Sequence, residues 1–243
     1  MFLPLYDVEV KRFLTPVTIL IIILCVLVFI YQSFFVSNEN QFFYEWGVVP
    51  YKILSEKAND NIFQSSYINL ITYAFVHAGF WHILGNLWFL FIFGNNVERR
   101  MGVLVFTFFY LSAAVVSAYI HMLFSYPDVM LGRQNIYSLT PMQIQSLNIP
   151  LVGASGAISA VLGAYLRYFP KAQIVTLVIF FVITLITVPA SLFIGVWLVG
   201  QIINAISNPG SSVAWFAHIG GFIYGYIFAS IYRGKRDYGE YDF

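Results

Sequence analysis

The feature that most constrains this chain is a series of long apolar stretches with almost no charged side chains. Only 9% of its 243 residues are charged, whereas a soluble domain carries about 25%. The mean hydropathy is +0.78, and 60% of the residues are hydrophobic. A helix of ~20 apolar residues is long enough to cross a bilayer. The sequence therefore predicts an all-α polytopic membrane protein. The net charge of +1 gives no indication of a nucleic-acid partner.

Six stretches are predicted to cross the membrane within one domain that covers residues 1–243. The apolar residues 174–188 are too few for a further crossing, so we expect an interfacial or re-entrant segment that ends at Pro189. The predicted spans are TM1 (17–35), TM2 (71–93), TM3 (103–124), TM4 (151–169), TM5 (190–206) and TM6 (212–232).

The basic residues divide unequally between the two sides of this six-span arrangement. Nine of the 12 lie on the side that holds both termini, and the other three lie in the loops of the opposite side. Because basic loops stay in the cytoplasm, we expect an integral protein of the cell (plasma or inner) membrane with both termini cytoplasmic. The nine are Lys11, Arg12, Arg99, Arg100, Arg167, Lys171, Arg233, Lys235 and Arg236, and the three are Lys52, Lys57 and Arg133.

Four polar side chains on three predicted spans fall at a similar depth. Ser155 lies five residues after Pro150, and His218 lies seven after Ser211. At ~1.5 Å per residue, they lie roughly 7 and 10 Å below the outer loops. His82 and Asn86 are at positions i and i+4 of TM2 and share one face. Polar groups in lipid are costly without partners, so this layer is the candidate site.

These residue types fit nucleophilic catalysis. A serine needs a base to take its proton, and histidine is the usual base near neutral pH, which makes Ser155 and His218 a candidate pair. His82 and Asn86 carry N–H groups suited to an oxyanion. The alternative is that His82 and Asn86 only link helices through hydrogen bonds. No metal or cofactor is predicted, since His77 and His82 are five residues apart instead of the four of a helical zinc pair.

Small residues near this layer favour a close approach of TM4 and TM6. Gly221 and Gly225 form a small-xxx-small pair in TM6, and Gly153 and Gly156 flank the serine in TM4. A direct hydrogen bond between serine and histidine requires such close backbones. Outside this layer, we expect packing or capping roles for His77 and His121. Glu98 is expected to form a loop salt-bridge cluster with its two basic neighbours, Arg99 and Arg100.

Three motifs, in order in three spans, resemble those of the rhomboid intramembrane serine proteases. They are HAGFWHILGN, which begins at His77, GASG at residues 153–156, and Ala217-His218 followed by Gly221 and Gly225. The resemblance implies a six-transmembrane-helix rhomboid-like bundle with a Ser155–His218 dyad. It also implies an oxyanion hole of His82, Asn86 and the backbone N–H of Ser155. Some members have an aromatic residue that stacks on the histidine, and this chain has Ser159 at that position.

The resemblance implies an intramembrane serine endopeptidase that cleaves transmembrane segments of other membrane proteins within the lipid bilayer. The segment from Pro189 through Trp197 and Gln201 resembles the part of TM5 that gates substrate access. One alternative is an inactive rhomboid-like protein that binds transmembrane helices, which is expected to lack the serine or the histidine. Another is a small-solute transporter, which predicts ionisable residues at the membrane midplane and paired repeats.

Overall fold

The computed structural model describes residues 2–8, 15–58, 65–179, 183–208, 211 and 213–234. These residues fold mainly into helices, which confirms the predicted helical membrane architecture. In chain order the helices are α1 (Pro16–Phe35), α2 (Glu39–Trp46), α3 (Pro50–Ala58), α4 (Asn69–Thr72), α5 (Phe80–Phe89), α6 (Asn95–Met101), α7 (Val103–Ser125), α8 (Pro127–Met130), α9 (Pro141–Leu147), α10 (Ser155–Tyr168), α11 (Ala190–Ser207) and α12 (Trp215–Ile231). Short 3-10 turns at Ser65–Tyr67, Tyr73–Phe75 and Ile136–Ser138 and a π-helical turn at Leu90–Gly94 join some of them.

Three of these helices, α1, α7 and α11, are long and apolar enough to cross a bilayer by length and composition. They correspond to the predicted TM1, TM3 and TM5. Helix α12 is a shorter apolar helix, and α10 begins at Ser155 although TM4 was predicted from residue 151. The chain is therefore a multi-pass membrane protein. That it crosses the membrane six times stays a prediction. The predicted features at Lys11, Arg12, Ser212, Lys235 and Arg236 lie outside the described residues.

The predicted second span is not one continuous helix. Residues Asn69–Phe75 and Phe80–Met101 form two pieces that meet at 97°, and the backbone between them is extended. The buried side chain of Gln32 on α1 accepts from the backbone N–H of His77 and donates to its carbonyl. A backbone that leaves the helix inside a membrane needs such partners. The break therefore brings His77 and the start of α5 into the bundle.

A three-stranded antiparallel sheet is the main departure from the all-helical prediction. Strands β1 (Phe2–Asp7), β2 (Gln173–Ile179) and β3 (Ile183–Pro189) lie in the order β1-β2-β3. Strands β2 and β3 form a hairpin, with Gln173 opposite Pro189 and Ile179 opposite Ile183. The hairpin contains many β-branched residues, which favour strands. The segment predicted as interfacial or re-entrant thus forms the hairpin that connects α10 to α11.

Glu98 does not form the predicted loop salt-bridge cluster. Glu98 lies in helix α6 instead of a loop, and it is 1% exposed. Its carboxylate accepts from the backbone N–H groups of Val17 and Thr18 and from the Thr18 hydroxyl, at 2.7–3.0 Å. The first N–H groups of a helix have no partner within the helix, and a carboxylate there also matches the helix dipole. Glu98 therefore caps α1.

Helix α10 is the centre of the bundle. Its residues from Gly156 to Tyr165 are all buried, and α7, α11, α12 and the α5–α6 region surround it. Residues 151–153, which precede it, are held by backbone hydrogen bonds to two other segments. Leu151 pairs with Val48 through two backbone hydrogen bonds, and the Gly153 N–H donates to the Tyr73 carbonyl. This segment fixes where the first turn of α10 begins.

Candidate active site

Ser155 is the first residue of α10, so its side chain lies beside the N-terminal turn of the central helix. The backbone reaches it through Gly153, whose φ of +116° is strained for any residue with a Cβ. Helix N-termini carry partial positive charge and N–H groups without helical partners. The serine hydroxyl is thus held next to a place that favours negative charge.

The structure brings Ser155 and His218 together. The Ser155 Oγ lies 2.8 Å from the Nε2 atom of His218, which is in the first turns of α12. This is a hydrogen-bond distance for a hydroxyl and an imidazole. A hydroxyl that donates to a neutral imidazole nitrogen is the arrangement in which histidine can take the serine proton.

Glycines make this close contact possible. A Cβ atom built at Gly221 would lie 2.1 Å from the Gly156 carbonyl oxygen, and one at Gly225 would lie 1.9 Å from that of Ala160. On the other helix, a Cβ at Gly163 would lie 2.1 Å from the Phe222 carbonyl oxygen. Helices α10 and α12 therefore touch backbone to backbone, as the small-residue pattern predicts. Gly153 differs, because it lies in the turn before α10 and does not pack between these helices.

The second ring nitrogen of His218 faces α11. Its Nδ1 lies 2.7 Å from Oε1 of Gln201. An amide oxygen only accepts, so Nδ1 carries the proton and Nε2 is left as the acceptor for Ser155. The Trp215 ring meets the imidazole edge-on at 5.9 Å between centroids, and the Trp197 ring lies 6.4 Å away. Ser159 stands where the resemblance implies a stacking aromatic residue, and its hydroxyl donates to the Ser155 carbonyl within α10. The aromatic rings beside the imidazole are therefore those of the two tryptophans, one from α11 and one from α12.

His82 and Asn86 lie beside Gly153, two residues before Ser155. A Cβ at Gly153 would lie 2.7 Å from both Cε1 and Nε2 of His82 and 3.8 Å from Nδ2 of Asn86. The His82 Nδ1 accepts from the Ala78 N–H at 3.3 Å, which leaves the proton on Nε2. The Asn86 Nδ2 is buried and has no hydrogen-bond partner among the described residues. Two N–H donors therefore face the turn that carries Ser155.

His77 and His121 lie beside this arrangement and do not contact the Ser155 hydroxyl by a hydrogen bond in the described part of the chain. His77 is fully buried in the break before α5, where its ring meets the His82 ring edge-on at 5.2 Å. His121 Nδ1 pairs with the Ser125 hydroxyl one turn further along α7, at 3.3 Å. Both positions are consistent with the predicted packing and capping roles.

Gln201 is the site residue whose contact the sequence analysis missed. In the sequence it belongs only to the segment that resembles the gate. The available signal was an amide four residues after Trp197 in a mostly apolar span, which places both side chains on one helix face. Which residue that face meets depends on the rotation of α11, and periodicity alone does not give that rotation.

Comparisons with known proteins give a family match and two relatives. A family model described as "Rhomboid domain" matches residues 64–235. The chain is 32% identical over 165 residues to "RHOMBOID-like protein 12, mitochondrial" of Arabidopsis thaliana, a match that covers 67% of this chain and 45% of the relative. It is 29% identical over 169 residues to "Rhomboid protein 1, mitochondrial" of Saccharomyces cerevisiae, covering 68% and 41%. The chain thus spans less than half the length of these two relatives.

Proposed function

Because this chain belongs to the rhomboid family, we propose that it is an intramembrane serine endopeptidase with a Ser155–His218 dyad. The observation that carries the proposal is the 2.8 Å contact between Ser155 Oγ and His218 Nε2. Two residues from different helices meet in the geometry that activates a serine, inside a chain whose composition suits a membrane.

The proposed reaction begins when Ser155 Oγ attacks the carbonyl carbon of a substrate peptide bond and His218 Nε2 takes the hydroxyl proton. The carbonyl oxygen becomes an oxyanion as the C–O bond to serine forms. The C–N bond then breaks, and His218 returns the proton to the leaving amine. Water attacks the acyl ester in the second half, with His218 as base, and regenerates the Ser155 hydroxyl.

Three donors are proposed to stabilise the oxyanion. They are the His82 Nε2–H, the Asn86 Nδ2–H and the backbone N–H of Ser155. The first two face Gly153, and the third belongs to the N-terminal turn of α10. Donors that are already fixed need no rearrangement when charge develops, which makes them effective in a site of low dielectric. The absence of a partner for Asn86 Nδ2 among the described residues supports this role.

We propose that the substrates are transmembrane segments of other membrane proteins, met within the lipid bilayer. A helical substrate must unwind before its carbonyl can reach Ser155, so helix-breaking Gly or Pro near the cut should favour cleavage. Helix α11 is the candidate gate. Along its outward half, Val199, Ile203 and Ile206 are each more than half exposed, and Ala205 is buried. A helix held by so few buried side chains can move aside.

We propose that the chain resides in the cell membrane with both termini on the cytoplasmic side, because nine of the 12 basic residues fall on that side of the predicted topology. The two relatives are named as mitochondrial proteins, so the membrane in which this chain resides needs a test of its own. Fractionation of the native host with an antibody to the chain decides it.

The function is tested by reconstituting the purified protein in lipid vesicles with a model transmembrane helix as substrate. We expect the wild type to cut the helix, and Ser155→Ala and His218→Ala to reduce cleavage to background. A wild type that binds the helix in pull-down yet never cuts it would identify the inactive, helix-binding alternative. Equal cleavage by wild type and Ser155→Ala would rule out Ser155 as nucleophile.

A further inference from the structure

We infer that Gln201 is a positioning residue that fixes the tautomer of His218, so that the base is competent only while α11 is packed against it. This inference rests on the proposed function. His218 Nδ1 has no carboxylate partner in the predicted spans that form the site, and Gln201 takes that position. Gln201 belongs to α11, the helix proposed as the gate.

The hydrogen bond has a defined direction. Gln201 Oε1 lies 2.7 Å from His218 Nδ1, and the amide nitrogen of Gln201 points back to the Trp197 carbonyl of its own helix at 3.5 Å. The amide NH₂ is thus directed along α11 and the amide oxygen towards the imidazole. Since an amide oxygen cannot donate, only a proton on Nδ1 satisfies the contact. Nε2 is then an acceptor, and it faces the Ser155 hydroxyl at 2.8 Å.

The opposite tautomer would disable the site. With the proton on Nε2, the imidazole would present a donor to Ser155 and an unprotonated Nδ1 to the Gln201 oxygen. Two acceptors would then face each other in a part-buried, apolar setting, where an unmade hydrogen bond is costly. The tautomer logic is that of the serine triads, in which the third member holds the histidine in one state. Here a neutral amide does so without burying a further charge in the membrane.

The contact also depends on the seating of α11. Trp197 and Gln201 lie one turn apart on the face of α11 that meets His218, while residues on its outer face such as Val196, Val199 and Ile203 are exposed. Movement of α11 away from α12 would therefore separate Gln201 from His218 before it disturbed the contact between α10 and α12. His218 would be held in the tautomer that accepts the Ser155 proton only after α11 had closed on a substrate.

The test compares Gln201→Leu, which removes the acceptor, with Gln201→Glu, which restores one. Asn204→Leu is the matched control, because Asn204 is an amide on the same helix whose side chain donates to the Gly200 carbonyl and accepts from the Asn208 side chain, not from His218. Each is assayed for kcat and KM in lipid vesicles. We expect Gln201→Leu to lower kcat about 10- to 100-fold with KM within about 2-fold, because losing the correct tautomer should cost no more than part of the ~10²- to 10⁴-fold that a positioned general base supplies. Gln201→Glu should recover at least about 5-fold in kcat over the Leu variant, and Asn204→Leu should match wild type.

A second readout does not require activity. ¹⁵N spectra of histidine-labelled protein, with His218 assigned by its loss in His218→Asn, report which ring nitrogen carries the proton. We expect Nδ1–H in the wild type and a mixture of tautomers in Gln201→Leu. If the wild type cuts nothing, the proposed function fails, and the spectra still decide the role of Gln201. An unchanged tautomer in Gln201→Leu overturns the inference, whether kcat is kept or is lost together with thermal stability.

Discussion

At the scale of single residues, the unpartnered amide of Asn86 is the observation that most supports the proposed oxyanion hole. Asn86 Nδ2 is buried with no partner among the described residues, and an unsatisfied buried donor costs about 1–3 kcal/mol. His82 Nε2 faces the same turn before Ser155. Selection for stability alone would replace Asn86 with an apolar residue. Its position is explained if the missing bond forms when a substrate carbonyl becomes an oxyanion.

Asn86→Ala is therefore expected to reduce catalysis with little effect on the fold. Loss of one oxyanion donor lowers kcat by about 10²- to 10³-fold, because the bond exists only in the transition state. KM should change little, since the ground-state carbonyl does not need this donor. Steady-state cleavage in vesicles measures both. Asn148→Ala, which removes a loop amide outside the site, should be indistinguishable from wild type, and a kcat for Asn86→Ala within about 3-fold of wild type would contradict the assignment.

Gly153→Ala tests the turn itself. Its φ of +116° disfavours a Cβ, and the added methyl group would lie 2.7 Å from the His82 ring. We expect His82 or the turn to shift, with a loss of kcat/KM of about 100-fold or more, since a displacement of ~1 Å in a catalytic geometry has that effect. Gly85→Ala is the control in the neighbouring helix, because nothing lies within 4 Å of its Cβ position. If the two variants were equally active, the proposed place of Gly153 beside the oxyanion would be wrong.

At the scale of elements, the contact between α10 and α12 determines whether serine and histidine can meet. Gly225→Ala would place a Cβ 1.9 Å from the Ala160 carbonyl oxygen, which is backbone and cannot turn away. We expect the free energy of unfolding in mixed micelles to fall by about 3 kcal/mol, the upper end for overpacking, and cleavage to fall with it. Gly200→Ala on α11 meets nothing within 4 Å and should be neutral or slightly stabilising. Equal stability of the two variants would contradict the tight contact between α10 and α12.

The sequence predicted the helical pieces better than their interruptions. Apolar runs located α1, α7 and α11, and the small residues of TM4 and TM6 indicated which helices touch. The break at His77 was not predicted, because the run has enough apolar residues to cross as one helix and the compensating partner, Gln32, lies on another helix. The hairpin was missed for a similar reason. Short apolar runs look alike in strands and buried helices, and its pairing partner is β1, far away in the sequence.

For the whole molecule, the length of the central helix supports the proposed depth of the site in the membrane. Helix α10 has 14 residues and is roughly 21 Å long, which is less than the ~30 Å hydrocarbon core. Its C-terminal end carries Arg167, a residue that favours the polar boundary on the basic side. Ser155, at the other end, therefore falls short of the opposite surface. This agrees with the depth that residue counting predicts from the outer loop.

Topology mapping checks this arrangement. In a Cys25→Ala background, we expect Asn135→Cys, in the polar loop between α7 and α10, to react with a membrane-impermeant maleimide from outside intact cells. Lys171→Cys, just after α10, should react only after permeabilisation, because the basic side is cytoplasmic in the predicted orientation. Labelling of Lys171→Cys in intact cells, with Asn135→Cys protected, would reverse the orientation.

The central claim, that His218 activates Ser155, is tested most directly by covalent labelling followed by mass spectrometry of the modified peptide. A fluorophosphonate reacts with a serine whose proton is taken by a base, and it needs no knowledge of the natural substrate. We predict a single phosphonylated residue, Ser155, in the wild type, and loss of labelling in His218→Ala with the fold intact. Labelling of another residue, or labelling of Ser155 at an undiminished rate without His218, would contradict the account.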